Sequence, residues 1–316
     1  MENFLNKIIN GNSIEVLKTL PDNSIDCCVT SPPYWGLRDY GAEGQIGIEE
    51  TPEAFVNKLA DLFDEVKRCL KDDGTLWLNL GDSYISAKCD YMPTQTLKNG
   101  NKSDYIQKDS GLGYPPNRRN QVGYKSKDLV GIPWMVAFEL RKRGWWLRCD
   151  IVWHKPNPMP ESVQDRPTRC HEFIFLMTKS KKYYYDADAI KTKMECSEHD
   201  KRSRQGRKRF PTDKINGIRG NTPDKIYEWA NKRDVWTVTT KPCDEAHFAT
   251  FPEDLIVDCI LAGSREGGIV LDPFFGSGTT GIVARKKNRN YVGIEINPKY
   301  IQIAEKRLYK EIGMFL

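Results

Sequence analysis

The chain has 316 residues, 39% of them hydrophobic and 29% charged, with Lys+Arg 48 against Asp+Glu 43 for a formal net charge of +5. That balance suits a globular protein and is too apolar for a disordered one. No apolar run approaches the roughly 20 residues of a membrane span, and Met1-Glu2-Asn3-Phe4 lacks the basic-then-apolar layout of a signal peptide. The expectation is therefore a cytoplasmic protein without a membrane partner.

Along the first half, strands and helices alternate. Lys7–Asn10 and Ile25–Thr30 read as strands bracketing an amphipathic helix from Ser13 to Leu20. Over Thr51–Leu70, Phe55, Leu59, Leu62, Phe63, Val66 and Leu70 recur at helical spacing, with Thr51 as N-cap and Pro52 at the first helical position. Gly74 ends that unit and Thr75–Leu80 is a strand. Such alternation predicts a doubly wound, mostly parallel sheet.

Residues 86–127 break the pattern: they are polar, carry Gly-Tyr-Pro-Pro and Asn-Gly turn signals, and read as a surface insertion. Regular structure resumes with a helix over Ile132–Arg143 and strands at Trp146–His154 and Glu172–Thr178. Asp186–Pro242 is again irregular. From Pro252 the order is helix to Leu261, strand Ile269–Leu271, helix Ser277–Lys287, strand Tyr291–Ile296 and helix Pro298–Tyr309. The irregular stretches 86–127 and 186–242 thus separate regular segments over 1–85, 128–185 and 243–316.

The small net charge is unevenly distributed. Between Lys201 and Gly220, eight basic residues (Lys201, Arg202, Arg204, Arg207, Lys208, Arg209, Lys214 and Arg219) face one acid, Asp213. This window carries +7 and leaves −2 for the rest of the chain. A concentrated basic segment on a near-neutral body points to a polyanion, although a solvated loop has the same composition. The nine cysteines are scattered, with no Cys-x-x-Cys pair, and read as reduced thiols. Cys196-x-x-His199 and Cys243-x-x-x-His247 fit no common zinc-ligand spacing, so no metal is expected.

Two segments carry chemistry. Ile269-Val-Leu-Asp272-Pro-Phe274-Phe-Gly276-Ser277-Gly278-Thr279-Thr280-Gly281 runs from a strand through a glycine turn into a helix, and Glu295 ends the next strand. Glycines let a ligand approach the backbone, and the acid can accept from ribose hydroxyls. A dinucleotide and S-adenosylmethionine both use this geometry. The Asp272 carboxylate would repel a pyrophosphate but suits the positive methionine portion of S-adenosylmethionine. The second segment, Ser31-Pro32-Pro33-Tyr34, leaves a strand as a stiff loop tipped by an aromatic ring. Ser31 Oγ and the Pro32 carbonyl can accept the N–H protons of an exocyclic base amine, favouring a more pyramidal, nucleophilic nitrogen. Tyr34 offers a face on which a flipped base can stack. Pro-Pro-aromatic is also a common loop stiffener.

Taken together, the chain resembles the β class of DNA amino-methyltransferases, in which the catalytic motif precedes the cofactor motif. Ser31–Tyr34 matches motif IV, Asp272–Thr280 motif I, and Tyr291-Val-Gly-Ile-Glu295 motif II. Leu76-Trp-Leu-Asn-Leu-Gly-Asp82 resembles motif VI, and His247-Phe-Ala-Thr-Phe251-Pro252 resembles motif X. Ile151–Met159 and Asp165–Glu172 resemble the lining of the base pocket. The resemblance implies a methyltransferase fold with a mixed, mostly parallel, seven-stranded sheet in circularly permuted order. It implies S-adenosylmethionine on Asp272, Phe274, Gly276, Ser277, Gly278, Thr279, Thr280, Glu295 and Phe251. Asn12 stands where the family pattern has an acid facing the cofactor adenine, and can accept there without charge.

Ser31 at the head of the tetrad is more typical of cytosine-N4 members, whereas adenine-N6 members more often carry Asp. Both products need the same chemistry, so adenine-N6 stands as the alternative. The implied partner is double-stranded DNA, held by Arg202, Arg204, Arg207, Lys208, Arg209 and Arg219, in a prokaryotic or phage modification system with a possible cognate restriction endonuclease. A dehydrogenase would leave Ser31–Tyr34 unexplained, and a non-catalytic nucleic-acid-binding protein would incorporate no methyl group with Ser31 and Tyr34 intact. Arg38 and Asp39 read as an ion pair rather than as a catalytic base, and Trp229 and Trp236 as a small core rather than base wedges.

Overall fold

In a computed structural model describing residues 1–37, 42–85, 123–193, 228–240 and 251–313, the predicted alternation is realised as a three-layer α/β arrangement. The strands are β1 (Lys7–Asn10), β2 (Ile25–Thr30), β3 (Leu70–Leu80), β4 (Trp146–His154) and β5 (His171–Thr178), then β6 (Thr192–Lys193), β7 (Trp229–Ala230), β8 (Val235–Thr237), β9 (Ile269–Asp272) and β10 (Asn290–Glu295). The helices are α1 (Ser13–Thr19), α2 (Pro52–Cys69), α3 (Ile132–Lys142), α4 (Glu253–Gly263), α5 (Thr279–Lys286) and α6 (Pro298–Ile312).

The chain divides into two compact units. One comprises Met1–Asp186 with Asp234–Leu316, and the other is Ala187–Arg233. The smaller unit, in its described part, is a single turn at Asp188–Ile190 and an antiparallel pairing of β6 with β7. The large unit holds one sheet in the order β1-β10-β9-β2-β3-β5-β4-β8. The seven strands implied by the family resemblance are all there. An eighth, β8, lies inside the segment expected to be irregular and pairs parallel to β4, matching Val152 to Val235. Within this sheet only the β3–β5 and β5–β4 pairings are antiparallel.

The order has a direct consequence. From β9 the chain passes through α5 to β10 on one side, and from β2 through α2 to β3 on the other. The sheet therefore reverses direction between β9 and β2, and its parallel strands end at one carboxyl edge on either side of that switch point, where open α/β sheets bind ligands. Because β5 is antiparallel to β3, its first residues reach the same edge, as do the last residues of β4.

Packing follows the predicted periodicity. Thr51 Oγ1 accepts from Ala54 N at 3.1 Å and caps α2, whose Phe55, Leu59, Leu62, Phe63 and Val66 are fully buried beside Leu76 and Leu78 of β3. Each such side chain contributes roughly 1.5–3 kcal/mol of transfer free energy. On the other face α4 lies so close that a Cβ on Gly263 would sit 2.5 Å from Trp77 Nε1 and 2.7 Å from Thr75 Oγ1. Strand β3 begins at Leu70, earlier than predicted. A bulge in its pairing with β2 between Ile25 and Cys27 absorbs residues 71–74. Trp236 joins the core with its ring 6.4 Å from that of Trp77. Trp229 does not, being 53% exposed, so the expected small core involves only one of the two.

Burial pushes the Cys27 thiol to about 12 and that of Cys28 well above its ordinary value, consistent with unreactive packing thiols. No helix among the described residues is long and apolar enough to cross a membrane.

Candidate active site

Strands β2 and β9 are locked together by an acid at each end. At the amino end Asp26 Oδ2 accepts from Ile269 N at 2.9 Å, while Asp26 Oδ1 pairs with Lys71 Nζ at 2.8 Å. At the carboxyl edge Asp272 Oδ1 accepts from Thr30 Oγ1 at 2.6 Å and from Phe274 N at 3.0 Å, and Asp272 Oδ2 accepts from Thr280 Oγ1 at 2.6 Å. Among the described residues, three donors and no cation surround this carboxylate. Burial raises it to about 6, the hydrogen bonds opposing that rise. Since Thr30 directly precedes Ser31, this cluster joins the root of the proline loop to the root of the glycine loop.

The proline loop is anchored on both sides of its tip. Pro32 is buried, and Trp35 is 1% exposed with Nε1 donating to the Glu49 carbonyl at 2.8 Å. Gly36 N donates to the Gly47 carbonyl at 2.8 Å. Tyr34 Oη donates to Glu172 Oε2 at 2.6 Å, and the ring rests on Gly81, where a Cβ would lie 2.5 Å from Cε2. Asn79 Nδ2 also donates to Glu172 Oε2, at 3.2 Å, and Lys155 Nζ pairs with Glu172 Oε1. The ammonium lies 4.2 Å from the centre of the Trp153 ring. Burial raises the Tyr34 hydroxyl well above its usual range, and the Glu172 charge adds to it.

The glycine loop has two left-handed residues, Gly276 at φ 51° and Gly278 at φ 85°, which is why α5 starts at Thr279 rather than at the predicted Ser277. Gly278 is also pressed against α6, 3.0 Å from Ala304 Cβ for any added Cβ. At Gly276 an added Cβ would meet nothing nearer than the Phe274 carbonyl at 3.8 Å, leaving that side of the loop open. Gly281 and Gly293 clear space for the Phe275 ring, which stacks on Tyr291 at 5.4 Å. Glu295 closes the loop from the end of β10. Its Oε2 accepts from Gly276 N and its Oε1 from Asn297 N, both at 2.8 Å, and burial raises its carboxyl.

Asn12 caps α1, its Oδ1 accepting from Ile14 N at 3.0 Å while Nδ2 donates to the Gly44 carbonyl at 3.1 Å. Among the described residues Oδ1 accepts the one bond from Ile14 N. Phe251 is half-buried two residues before the start of α4. Phe274 is half-buried against the core.

The structure thus brings Ser31–Tyr34, Asp272–Thr280, Glu295 and Asn12 to one edge of the sheet. Asp82, within the motif VI resemblance, serves the fold instead. Its carboxylate accepts from Gly131 N and Ile132 N at 2.9–3.1 Å and caps α3 from a distance. Arg38, Asp39, the basic residues from Lys201 to Arg219, Cys196, His199, Cys243 and His247 lie outside the described residues. Among the described residues no three His, Cys, Asp or Glu side chains cluster as metal ligands would.

Thr30, Lys155, Glu172 and Arg307 gain roles that the sequence alone does not assign them. Arg307 Nη1 donates to Ser277 O and Oγ at 2.9 Å and to Thr279 Oγ1 at 3.1 Å, fastening the glycine loop to α6. Nothing in helical periodicity marks it off from a surface arginine.

Comparison with known proteins agrees with this geometry. The type II methyltransferase M.Cfr9I of Citrobacter freundii is 47% identical over 304 residues, covering 96% of this chain and 88% of that one. M.SmaI of Serratia marcescens, also a type II methyltransferase, is 45% identical over 304 residues, covering 96% and 91%. Among solved structures, PvuII DNA methyltransferase (cytosine-N4-specific) superposes with a TM-score of 0.62 at 17% identity, covering 94% of this chain and 84% of that one. The complex of M1.HpyAVI with SAM gives 0.53 at 18% identity, covering 96% and 98%. At such identities the superpositions speak for the fold alone. Residues 25–306 match the N6/N4 methyltransferase family, described as DNA methylase, and the chain belongs to that family of type II DNA amino-methyltransferases.

Proposed function

We propose that the protein transfers a methyl group from S-adenosylmethionine to the N4 amine of a cytosine flipped out of double-stranded DNA. The observation that carries this reading is the Thr30–Asp272 hydrogen bond, which sets Ser31-Pro32-Pro33-Tyr34 beside the glycine loop at the switch point of the sheet.

The residues present fit the cofactor. Gly276 has open space where a Cβ would stand, Glu295 presents a buried carboxylate for ribose hydroxyls, and Asp272 is a buried carboxylate with no cation beside it among the described residues. Phe274, Ser277, Thr279, Thr280, Asn12 and Phe251 complete the proposed site. When bound, S-adenosylmethionine supplies an electrophilic methyl group on a sulfonium. The chain's own contribution is to orient the acceptor. Ser31 Oγ and the Pro32 carbonyl accept the two amine N–H groups and favour a pyramidal nitrogen, while the Tyr34 ring gives the extruded base a stacking surface.

Arg202, Arg204, Arg207, Lys208, Arg209 and Arg219 would hold the duplex through its phosphates. The relatives' type II assignment favours a prokaryotic, DNA-associated enzyme with a partner endonuclease. The test is to methylate DNA with the purified protein, digest it to nucleosides and weigh them. N4-methylcytosine is expected. N6-methyladenine would overturn the choice of base, and the absence of any methyl product would overturn the function.

A further inference from the structure

We propose that Glu172 is a positioning residue for methyl transfer: through the Tyr34 hydroxyl it fixes the tyrosine ring as a stationary platform before the target base arrives. The inference deepens the methyl-transfer reading and rests on it.

Three elements converge on this one carboxylate. Lys155, just past β4, pairs with Oε1; Asn79 of β3 and the Tyr34 hydroxyl share Oε2, at 3.2 Å and 2.6 Å. Glu172 itself is paired across β5 with Trp153 of β4, so its backbone is fixed by the sheet. A purely structural ion pair between β4 and β5 needs only Lys155 and Glu172, whose side chains are 19% and 14% exposed. It does not need a hydroxyl from the catalytic loop, nor the second donor from β3. Here Lys155 balances the carboxylate's charge, Asn79 holds the oxygen in place, and the remaining acceptor site points at Tyr34. An O–H···O⁻ bond of 2.6 Å is in the charge-assisted range and directional.

The ring is then held at both ends. Its hydroxyl is tied to Glu172, its edge bears on Gly81, and the peptide behind it is anchored by Trp35 and Gly36. A stacking surface fixed in advance lowers the ordering cost at the reacting geometry, so its loss is felt in the chemical step more than in ground-state binding.

The experiment combines kinetics with a spectroscopic readout. Wild type, Glu172→Gln, Tyr34→Phe and the double variant are compared for single-turnover methyl incorporation into plasmid DNA and for S-adenosylmethionine affinity. Each single change is expected to slow transfer about tenfold, the rate equivalent of one lost hydrogen bond. The double variant should be no slower than the slower single one, and cofactor affinity should stay within about twofold. Tyr34→Phe removes this bond and the hydroxyl's contact with Ser31 without touching the Lys155 pair, so the double variant and the fluorine spectra, rather than the Tyr34→Phe rate alone, carry the test.

In 3-fluorotyrosine-labelled protein, the ¹⁹F resonance missing from Tyr34→Phe identifies Tyr34. It should move and broaden in Glu172→Gln while the other tyrosines stay put. Additive kinetic effects, or an unmoved Tyr34 resonance, overturn the proposal. If wild type transfers no methyl to DNA, the functional reading itself falls, and the fluorine spectra still decide whether Glu172 holds Tyr34.

Discussion

Replacing Asp272 by Asn should change how stability depends on pH while leaving the junction between the two loops intact. Burial raises the Asp272 carboxyl from 3.8 to about 6 in the folded protein, so the folded state binds its proton more tightly than the unfolded chain. The stabilisation from this group is therefore fully present below pH 3.8 and is lost as pH rises through about 6. The total loss is about 3 kcal/mol at high pH, of which about 2 kcal/mol falls between roughly pH 4 and pH 8.

Asparagine carries no such cost. Its Oδ1 can accept from Thr30 Oγ1 and Phe274 N, and its Nδ2 can donate to Thr280 Oγ1, whose own proton has the Val29 carbonyl at 3.5 Å to turn to. Urea unfolding of wild type and variant, measured at several pH values, reads this contribution, because titrating groups away from Asp272 cancel in the difference and Glu295 and Cys28, which feel its charge, add only a secondary change. The variant should gain on wild type by about 2 kcal/mol from roughly pH 4 to pH 8. A difference that does not vary with pH would refute the assignment of the pH slope to this carboxylate.

Other consequences are open to simpler measurements. Arg307→Met removes the three hydrogen bonds to Ser277 and Thr279 and should raise the cofactor KM about tenfold with kcat little changed; an unchanged KM would show the loop to be held without it. Gly278→Ala places a methyl group at φ 85° and 3.0 Å from Ala304 Cβ, so a loss of about 1–2 kcal/mol is expected on thermal unfolding. A variant that melts with wild type would argue against strain there. Neutralising Lys201–Arg209 should weaken DNA binding and flatten its dependence on salt concentration. Affinity and slope that both stay the same would remove this window from the DNA-binding surface.

The site itself is unevenly legible in the chain. Ser31–Tyr34, Asp272–Thr280 and Glu295 announce themselves because consecutive residues carry a backbone requirement, prolines to stiffen or glycines to reach positive φ, and local sequence records such requirements directly. From sequence, Asp272 reads as a partner for a positive ligand. In the fold it is first the joint between β2 and β9, a role visible once Thr30 and Thr280 are seen to donate to it. Glu172 and Lys155 fall in the pocket-lining segments without roles of their own, since Glu172 meets Tyr34 across 138 residues of chain.

By itself, the sequence determined the helices α1–α6 and the strands β1–β5, β9 and β10, since burial on one face imposes periods of about 2 and 3.6 on the apolar residues. It also singled out the two loops that we propose carry the chemistry. Tertiary structure alone decided the register that sets Thr30 against Asp272, the eighth strand at the edge, and the convergence of Lys155, Asn79 and Tyr34 on one carboxylate. Those pairings are between residues far apart in the chain. Each is selected by the packing of a whole sheet, which fixes strand order and register together, and no local preference of either partner encodes it.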